Sequence, residues 1–215
     1  MSISAEKRKE FDAEARHAMD PNSPYHLVPT FPAGARVISV GCGGGWPTET
    51  DGARTFVGVD IDPAAGEYRQ EKCFRGYFKL GSGESLRVGM ELFTFYYARV
   101  SLPYMHIPTA LAEANRVLVP GGQIWLSLHD INHLVAHMKR IDGFPPKVWA
   151  RRIYTLLNGL CFHFTGKLFK LPGAGIMESF QTKGGIRRAL VKAGFTDIEF
   201  PPVNPLHFVV TGRKL

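Results

Sequence analysis

Apolar residues in this chain gather into short runs that are separated by polar, glycine-rich or proline-rich segments. Runs that fit buried strands lie at residues 36–40, 55–59, 77–80, 93–97 and 124–128. Strands of a parallel sheet are covered on both faces, so they show near-continuous apolar runs in place of polar alternation. The pattern therefore predicts a mostly parallel sheet.

Several of the segments between these runs have apolar residues at helical spacing. Residues 5–18 are rich in helix formers and include Phe11 on the apolar face, which predicts an N-terminal helix. A short helix is predicted at 63–70, and another starts at Pro108 and ends before Pro120-Gly121-Gly122. Strands that alternate with helices in this way are typical of α/β domains.

The C-terminal part of the chain has a different order of elements. Thr182 can cap a helix that stops at Gly194, and strand patterns follow at 196–200 and 207–211. Because no helix separates these two strands, they are predicted to pair antiparallel across the proline-rich segment 201–205.

The first predicted strand leads directly into the glycine turn Gly41-Cys42-Gly43-Gly44-Gly45. Its glycines let the backbone turn with positive φ and let a ligand approach where a side chain would clash. Asp60 ends the next strand, where its carboxylate can accept hydrogen bonds from both hydroxyls of a ribose, and Ile61 can pack on an adenine face. The spacing predicts a nucleotide-type ligand, with a simple tight turn as the alternative.

Four stretches, in order, resemble the motifs of class I S-adenosylmethionine (SAM)-dependent methyltransferases. They are residues 37–45, 56–63, 93–105 and 116–122, and the last has the sequence RVLVPGG. The resemblance covers residues 34–130 and resumes at 182–213. A nicotinamide-dependent oxidoreductase is disfavoured, because Trp46 stands at the third glycine of its GxGxxG fingerprint.

The chain length predicts a single domain over residues 1–215, with the N-terminal helix in 1–20, and the resemblance implies how that domain folds. Its fold would be α/β: a Rossmann-like, seven-stranded, mostly parallel sheet with an antiparallel last strand and helices on both faces. It also implies transfer of a methyl group from SAM to a small-molecule acceptor by in-line displacement, which leaves S-adenosylhomocysteine. Catalysis would rest on proximity and orientation, because the sulfonium already activates the methyl group. A catalytically silent module that binds a ligand or a protein partner is the alternative.

By the same resemblance, several segments contribute to the cofactor site. The implied residues are Val40, Gly41, Cys42, Gly43, Gly45, Asp60, Ile61, Ser82, Gly83, Glu84, Ala98 and Arg99. The acceptor is expected beside Tyr104 and His106, a region that Tyr25 and His129 also reach. His106 is the candidate base, since histidine titrates near neutral pH, and Tyr104 can orient the acceptor. Each also has a structural interpretation: His106 as a cap before Pro108, and Tyr104 as a packing residue.

Three positions depart from the family pattern. Ser39 replaces an acidic residue that commonly lies near the ammonium group of the cofactor, and Ser82 replaces an acid expected at the adenine amino group. Thr94 stands where Asp is frequent. A serine still accepts a hydrogen bond but loses the charge that roughly doubles its strength, so weaker cofactor binding is expected. Residues 46–51 also leave room for only a turn or two of helix.

His133 and His137 are four residues apart on a predicted helix, a spacing that can put two metal ligands on one face. No glutamate completes an HExxH motif and no cysteine lies nearby. The sequence therefore predicts no metal site.

Residues 131–180 form an insertion longer than the single helix that the family core requires. It is rich in basic and aromatic residues, and its apolar centre, 153–164, is too short to span a bilayer. We interpret the insertion as a helical lid over the pocket of an aromatic or anionic acceptor. The alternatives are peripheral contact with an anionic membrane through 147–170 and contact with nucleic acid or protein.

Composition and net charge indicate the kinds of partner and the cellular compartment. A net charge of +7 favours acidic partners, but no aromatic-interleaved motif accompanies it, so nucleic-acid binding is not favoured. The three cysteines offer neither a disulfide framework nor zinc spacing, which indicates a reducing compartment. With no signal-peptide or membrane-spanning pattern, a cytoplasmic protein is expected. The sequence does not define an oligomeric state.

Overall fold

The computed structural model describes residues 3–139, 145–171, 177–203 and 205–215. Its strands are β1 Ala35–Val40, β2 Ala53–Asp60, β3 Tyr77–Leu80, β4 Phe93–Arg99, β5 Leu118–His129, β6 Phe195–Glu199 and β7 His207–Lys214. They form one seven-stranded sheet in the order β3-β2-β1-β4-β5-β7-β6. Strand β7 pairs antiparallel with both β5 and β6, and the other pairs are parallel. The predicted fold class is confirmed.

The described helices are α1 Ala5–Met19, α2 Pro63–Glu71, α3 Ile107–Val117, α4 Ile131–Lys139, α5 Pro146–Thr165 and α6 Lys183–Lys192, with a short 3-10 helix at Leu102–Tyr104. Thr182 caps α6 as predicted, because its side chain accepts a hydrogen bond from the Gly185 N–H at 3.0 Å. Helices α3 and α6 pack on one face of the sheet, and α1 packs on the other. Helices therefore cover both faces, as expected.

The centre of the sheet is apolar on both sides. Ile38 of β1 and Tyr96 of β4 face the α3 side, whereas Val37 and Phe95 face the α1 side, and all four are fully buried. This double burial explains the continuous apolar runs in the sequence.

The sequence predicts that Pro120-Gly121-Gly122 ends α3 and precedes the next strand, but the structure places these three residues inside that strand, β5. Strand β5 begins at Leu118, directly after the helix. The register against β4 shifts there, because Phe93 pairs with Leu118 whereas Phe95 pairs with Gln123. Gly121 adopts a φ of 74°, so the Pro-Gly-Gly residues form an irregularity inside the strand.

The segment after the glycine turn also differs from the expected short helix. Residues 46–51 form turns without a helix. The chain instead folds Trp46 and Glu49 inward, and both side chains are buried. A loop thus takes the position that a helix has in the family pattern.

Helix α1 docks on α2 through charged and aromatic contacts. Arg8 pairs with Glu71 at 2.5 Å, and the rings of Phe11 and Tyr68 lie 5.2 Å apart. Gly44 lies beneath Phe11, since a Cβ there would be 2.7 Å from the Phe11 Cβ. The third glycine of the turn therefore makes room for α1.

The predicted insertion contains α4 and α5, and its described residues 166–171 and 177–180 are irregular. Its parts 140–144 and 172–176, like residue 204 in the last connection, lie outside the described residues. Asn158 is fully buried on α5 and organises the following segment. Its side-chain oxygen accepts from the Phe169 N–H at 3.1 Å, and its amide donates to the Glu178 carbonyl at 3.0 Å. Among the described helices, none combines the length and hydropathy needed to cross a bilayer.

Candidate active site

A cavity of about 750 Å³ opens at the carboxyl ends of β1, β2 and β4. Ligands of open α/β sheets bind at this edge, in the crevice beyond the strand ends. One end of the cavity is formed by the glycine turn, Asp60-Ile61-Asp62 and Gly81-Ser82-Gly83-Glu84. The other end is formed by Tyr25, Arg99, Tyr104, His129, His133 and His137. Residues of α1 form the remaining wall, so the N-terminal helix borders the site.

The glycine turn is held in its conformation by close packing. Gly41 has a φ of 65°, and a Cβ there would lie 2.2 Å from the Ser101 Cβ. The Ser101 hydroxyl donates to the Val40 carbonyl at 2.7 Å, which ties the end of β4 to the end of β1. Any side chain at Gly41 would break this junction.

Asp60 lies at the end of β2 and is oriented by backbone N–H groups. Its Oδ2 accepts from the Gly43 N–H at 2.8 Å, and its Oδ1 accepts from the Asp62 N–H at 2.9 Å. Each carboxylate oxygen retains a further lone pair that can accept another hydrogen bond. Ile61 beside it is 75% exposed and presents an apolar surface at the same end of the cavity.

A buried polar network lies under the glycine turn. Glu49 Oε2 pairs with Arg69 Nη2 at 2.7 Å, and both side chains are more than nine-tenths buried. Glu49 Oε1 accepts hydrogen bonds from the hydroxyls of Tyr97 and Ser39, the latter at 3.5 Å. Arg69 also donates to the carbonyls of Cys42 and Gly43, each at 2.9 Å.

This network fixes the protonation states around it. Burial, then the nearby Glu49 carboxylate, raises the pKa of Tyr97 well above its ordinary value. Burial likewise raises the pKa of the Cys42 thiol to about 12. Cys42 is therefore a neutral thiol at physiological pH and no nucleophile, because the thiolate is the reactive form.

The opposite end of the cavity combines aromatic rings with one cation. The Arg99 guanidinium lies 5.1 Å from the ring centroid of Trp46, and its Nη1 donates to the Tyr25 carbonyl at 3.4 Å. Tyr104 is 47% exposed, and its ring meets that of His129 edge-on at 6.0 Å. Desolvation raises the pKa of Tyr104, so its hydroxyl is a hydrogen-bonding group and not a base at neutral pH.

Three histidines cluster at this end. His129 ends β5 and is paired with His207, the first residue of β7, while His133 follows on α4. The rings of His129 and His133 are stacked at 3.9 Å, and His207 lies 5.5 Å and 5.3 Å from them. Desolvation lowers the pKa of His129 to about 3 and that of His207 to about 4.

The structure brings most of the sequence-predicted residues to the cavity wall. Those that line it are Gly41, Cys42, Gly43, Asp60, Ile61, Ser82, Gly83, Glu84, Arg99 and Tyr104. Val40 and Ala98 are buried behind the wall, and Gly45 faces a second cavity near α2. His106 is the N-cap of α3, where its Nδ1 hydrogen-bonds the Thr109 hydroxyl at 2.7 Å and its N–H donates to Glu84. This placement agrees with the structural interpretation of His106.

The departures from the family pattern have different consequences. Thr94 hydrogen-bonds the backbone of Arg36 at the start of β4, at the edge of the sheet remote from the cavity. Ser82 lines the cavity, where its hydroxyl accepts from the Glu84 N–H at 3.1 Å. Ser39 lies against Glu49, a residue that the sequence analysis did not place in the site.

Residues 38–126 match the model of a family described as a methyltransferase domain. A SAM-dependent methyltransferase from Mesorhizobium loti superposes with a TM-score of 0.61, at 18% identity over 89% of this chain and 95% of its own. A SAM-dependent methyltransferase from Thermotoga maritima has a TM-score of 0.58, at 17% identity over 97% of this chain and 91% of its own. No curated protein gives a sequence match.

A third solved structure contains ligands. It is the Burkholderia thailandensis 1,6-didemethyltoxoflavin-N1-methyltransferase with bound 1,6-didemethyltoxoflavin and S-adenosylhomocysteine. It superposes with a TM-score of 0.56, at 21% identity over 96% of this chain and 86% of its own. Residues 38–126 are thus similar to a methyltransferase domain, and the chain shares the fold of these solved methyltransferases.

Proposed function

We propose that the protein is a SAM-dependent methyltransferase and that it methylates a small aromatic or anionic molecule bound between Tyr104, Arg99 and the histidine cluster. The observation that carries the proposal is the single cavity, because it joins the glycine-turn end to an end walled by rings and one guanidinium. Rings offer stacking surfaces to an aromatic acceptor, and Arg99 offers a partner to an anionic group.

The residues at the glycine-turn end fit the proposed cofactor site. Asp60 is oriented to accept ribose hydroxyls, Ile61 presents a free apolar face for adenine, and Ser82 offers a hydroxyl. In this proposal, Glu49 supplies the negative charge that Ser39 lacks, since its carboxylate lies beside that serine at the cavity wall. Bound SAM supplies a methyl group already activated by its sulfonium.

The contribution of the protein is then placement and shielding. Helix α1 and the wall of the cavity hold donor and acceptor together and exclude water, while Tyr104 donates a hydrogen bond to orient the acceptor. Helix α4 of the insertion brings His133 and His137 to the acceptor end, which supports the lid interpretation for that part. His106 is a less suitable base, because its ring contacts Thr109 at the start of α3.

Two measurements test this proposal in sequence. Calorimetry with SAM and with S-adenosylhomocysteine tests the cofactor site; failure of both to bind would favour the catalytically silent module. Mass spectrometry of reactions with a panel of aromatic, anionic, and neutral aliphatic acceptors tests the acceptor class. Methylation confined to the aliphatic compounds would contradict the acceptor assignment while leaving the enzyme class intact.

Helix α5 supports a second, separate role. Among the described residues of α5, none lines the active-site cavity. Its outer face exposes an apolar stripe of Ile153, Leu157, Leu160 and Phe164. Basic residues lie within the same 147–170 segment, a combination that favours an anionic membrane surface. Co-sedimentation with anionic and zwitterionic vesicles tests this role. The wild type should sediment with the anionic vesicles, and Leu157→Gln should not. Equal recovery of the wild type and Leu157→Gln with the anionic vesicles would exclude a membrane role for this stripe.

A further inference from the structure

Three histidine side chains from β5, α4 and β7 meet at the acceptor end of the cavity. One ring nitrogen from each of His129, His133 and His207 lies within 4.8 Å of those of the other two. We propose that these three side chains form a binding site for a divalent transition-metal ion. Metal binding goes beyond methyl transfer and does not depend on SAM.

Rigid elements place the three ligands. His129 and His207 are directly opposed in the antiparallel β5–β7 pair, so their side chains lie on the same face of the sheet. Helix α4 starts two residues after His129, and the His133 N–H donates to the Asp130 carbonyl at 3.0 Å. This turn brings the first turn of the helix back over the strand ends. The ligands therefore need no large backbone movement to meet.

The spacing fits a metal after small side-chain rotations. Zinc–nitrogen bonds of about 2.0–2.1 Å put two nitrogens of a tetrahedral site about 3.4 Å apart. The separation of up to 4.8 Å between the histidine nitrogens is slightly larger, so the nitrogens must turn inward. In particular, the stacked rings of His129 and His133 must splay so that one nitrogen of each faces a common centre.

The ligand set selects the kind of metal. Imidazole nitrogens suit zinc, cobalt, nickel and copper, whereas calcium and magnesium prefer oxygen ligands. The cluster identified among the described residues contains histidines alone, so Zn²⁺ or Co²⁺ is expected rather than Mg²⁺. His129 and His133 also line the cavity, so the fourth coordination position would open toward the proposed acceptor end. Three protein ligands and one open position are typical of catalytic and not of structural zinc sites.

Metal titration of the intact chain tests the proposal. After treatment with EDTA and its removal, the protein should bind one Co²⁺ per chain with a visible absorption spectrum, and Zn²⁺ should displace it. His133→Gln removes the least buried of the three ligands and should weaken Co²⁺ binding at least about tenfold. His106→Gln, a histidine outside the cavity wall, should bind Co²⁺ like the wild type.

Thermal melting provides a second readout that does not rely on the cobalt absorption spectrum. Zn²⁺ should raise the Tm of the wild type and not that of His133→Gln, because a ligand that binds only the folded state stabilises it. Equal Tm values for the two metal-free proteins would show that the variant folds. Wild-type protein that binds no ion, or His133→Gln that binds as tightly as the wild type, would overturn the proposal. A separate SAM titration distinguishes that outcome from failure of the methyltransferase assignment.

Discussion

The carboxylate of Glu49 lies 3.5 Å from the hydroxyl of Ser39, although ten residues separate them in the chain. Ser39 stands in β1 where the family pattern has an acidic residue. Glu49, which lies in the loop after the glycine turn, places a carboxylate beside it. Arg69 balances that charge with a 2.7 Å ion pair. The chain thus retains a negative group beside the glycine turn by a different route.

Replacement of Glu49 by Gln should destabilise the protein strongly. It leaves the Arg69 guanidinium buried without its anion, and removal of one partner of a buried pair typically costs about 3–5 kcal/mol. Urea denaturation measures the change. The matched control is Glu71→Gln, whose pair with Arg8 is more than a third exposed and should cost less than about 1 kcal/mol. Equal losses in the two variants would show that the Glu49 pair has no special role.

Gly41→Ala should disrupt the glycine turn for a reason that a second glycine can separate. Both Gly41 and Gly34 have positive φ, at 65° and 75°, so alanine meets a backbone cost of roughly 1–2 kcal/mol at either position. Only at Gly41 would the new Cβ collide with Ser101, whereas Gly34 has open space. Gly41→Ala should therefore lower the Tm further than Gly34→Ala and abolish SAM binding, as measured by melting and calorimetry. Similar behaviour of both variants would contradict the packing argument.

The sequence predicted the framework of the fold because the information there is local. Apolar runs located the strands, and the position of Asp60 after the glycine turn located one end of the site. The predicted start of β5 was wrong because Pro120-Gly121-Gly122 is typical of a turn. In the structure the strand already begins at Leu118, which pairs with Phe93 of β4.

Residues that reach the site through tertiary contacts escaped the sequence analysis. Glu49 lies in a loop whose inward course depends on burial of Trp46 and on Arg69 from α2. His207 looks like an ordinary strand residue until the antiparallel register places it opposite His129. The prediction of no metal site considered histidines on one helix only, whereas the cluster behind the proposed site takes one residue from each of three elements.

Asp60→Asn should weaken SAM binding without unfolding the protein. The amide keeps the shape and one acceptor oxygen, but it loses the charge behind the proposed ribose contacts and one backbone N–H acceptor. Hydrogen bonds to charged groups contribute about 1.5–3 kcal/mol, so the Kd should rise roughly tenfold to hundredfold in calorimetry. Asp51→Asn, an exposed residue outside the cavity wall, is the control. An unchanged Kd for Asp60→Asn would refute its ribose role.

Asn158→Ala should loosen the insertion more than it weakens the rest of the domain. The substitution removes the acceptor of the Phe169 N–H and the donor to the Glu178 carbonyl, and the Tyr154 hydroxyl loses a partner at 3.2 Å. Buried groups left without partners cost about 1–3 kcal/mol each. Hydrogen exchange should therefore quicken at 166–171 while protection in β1 and β4 is retained. Cys161→Ala, a half-buried neighbour on the same helix, tests whether any truncation there has this effect. Uniform loss of protection across the sheet in Asn158→Ala would instead make α5 an integral part of the core.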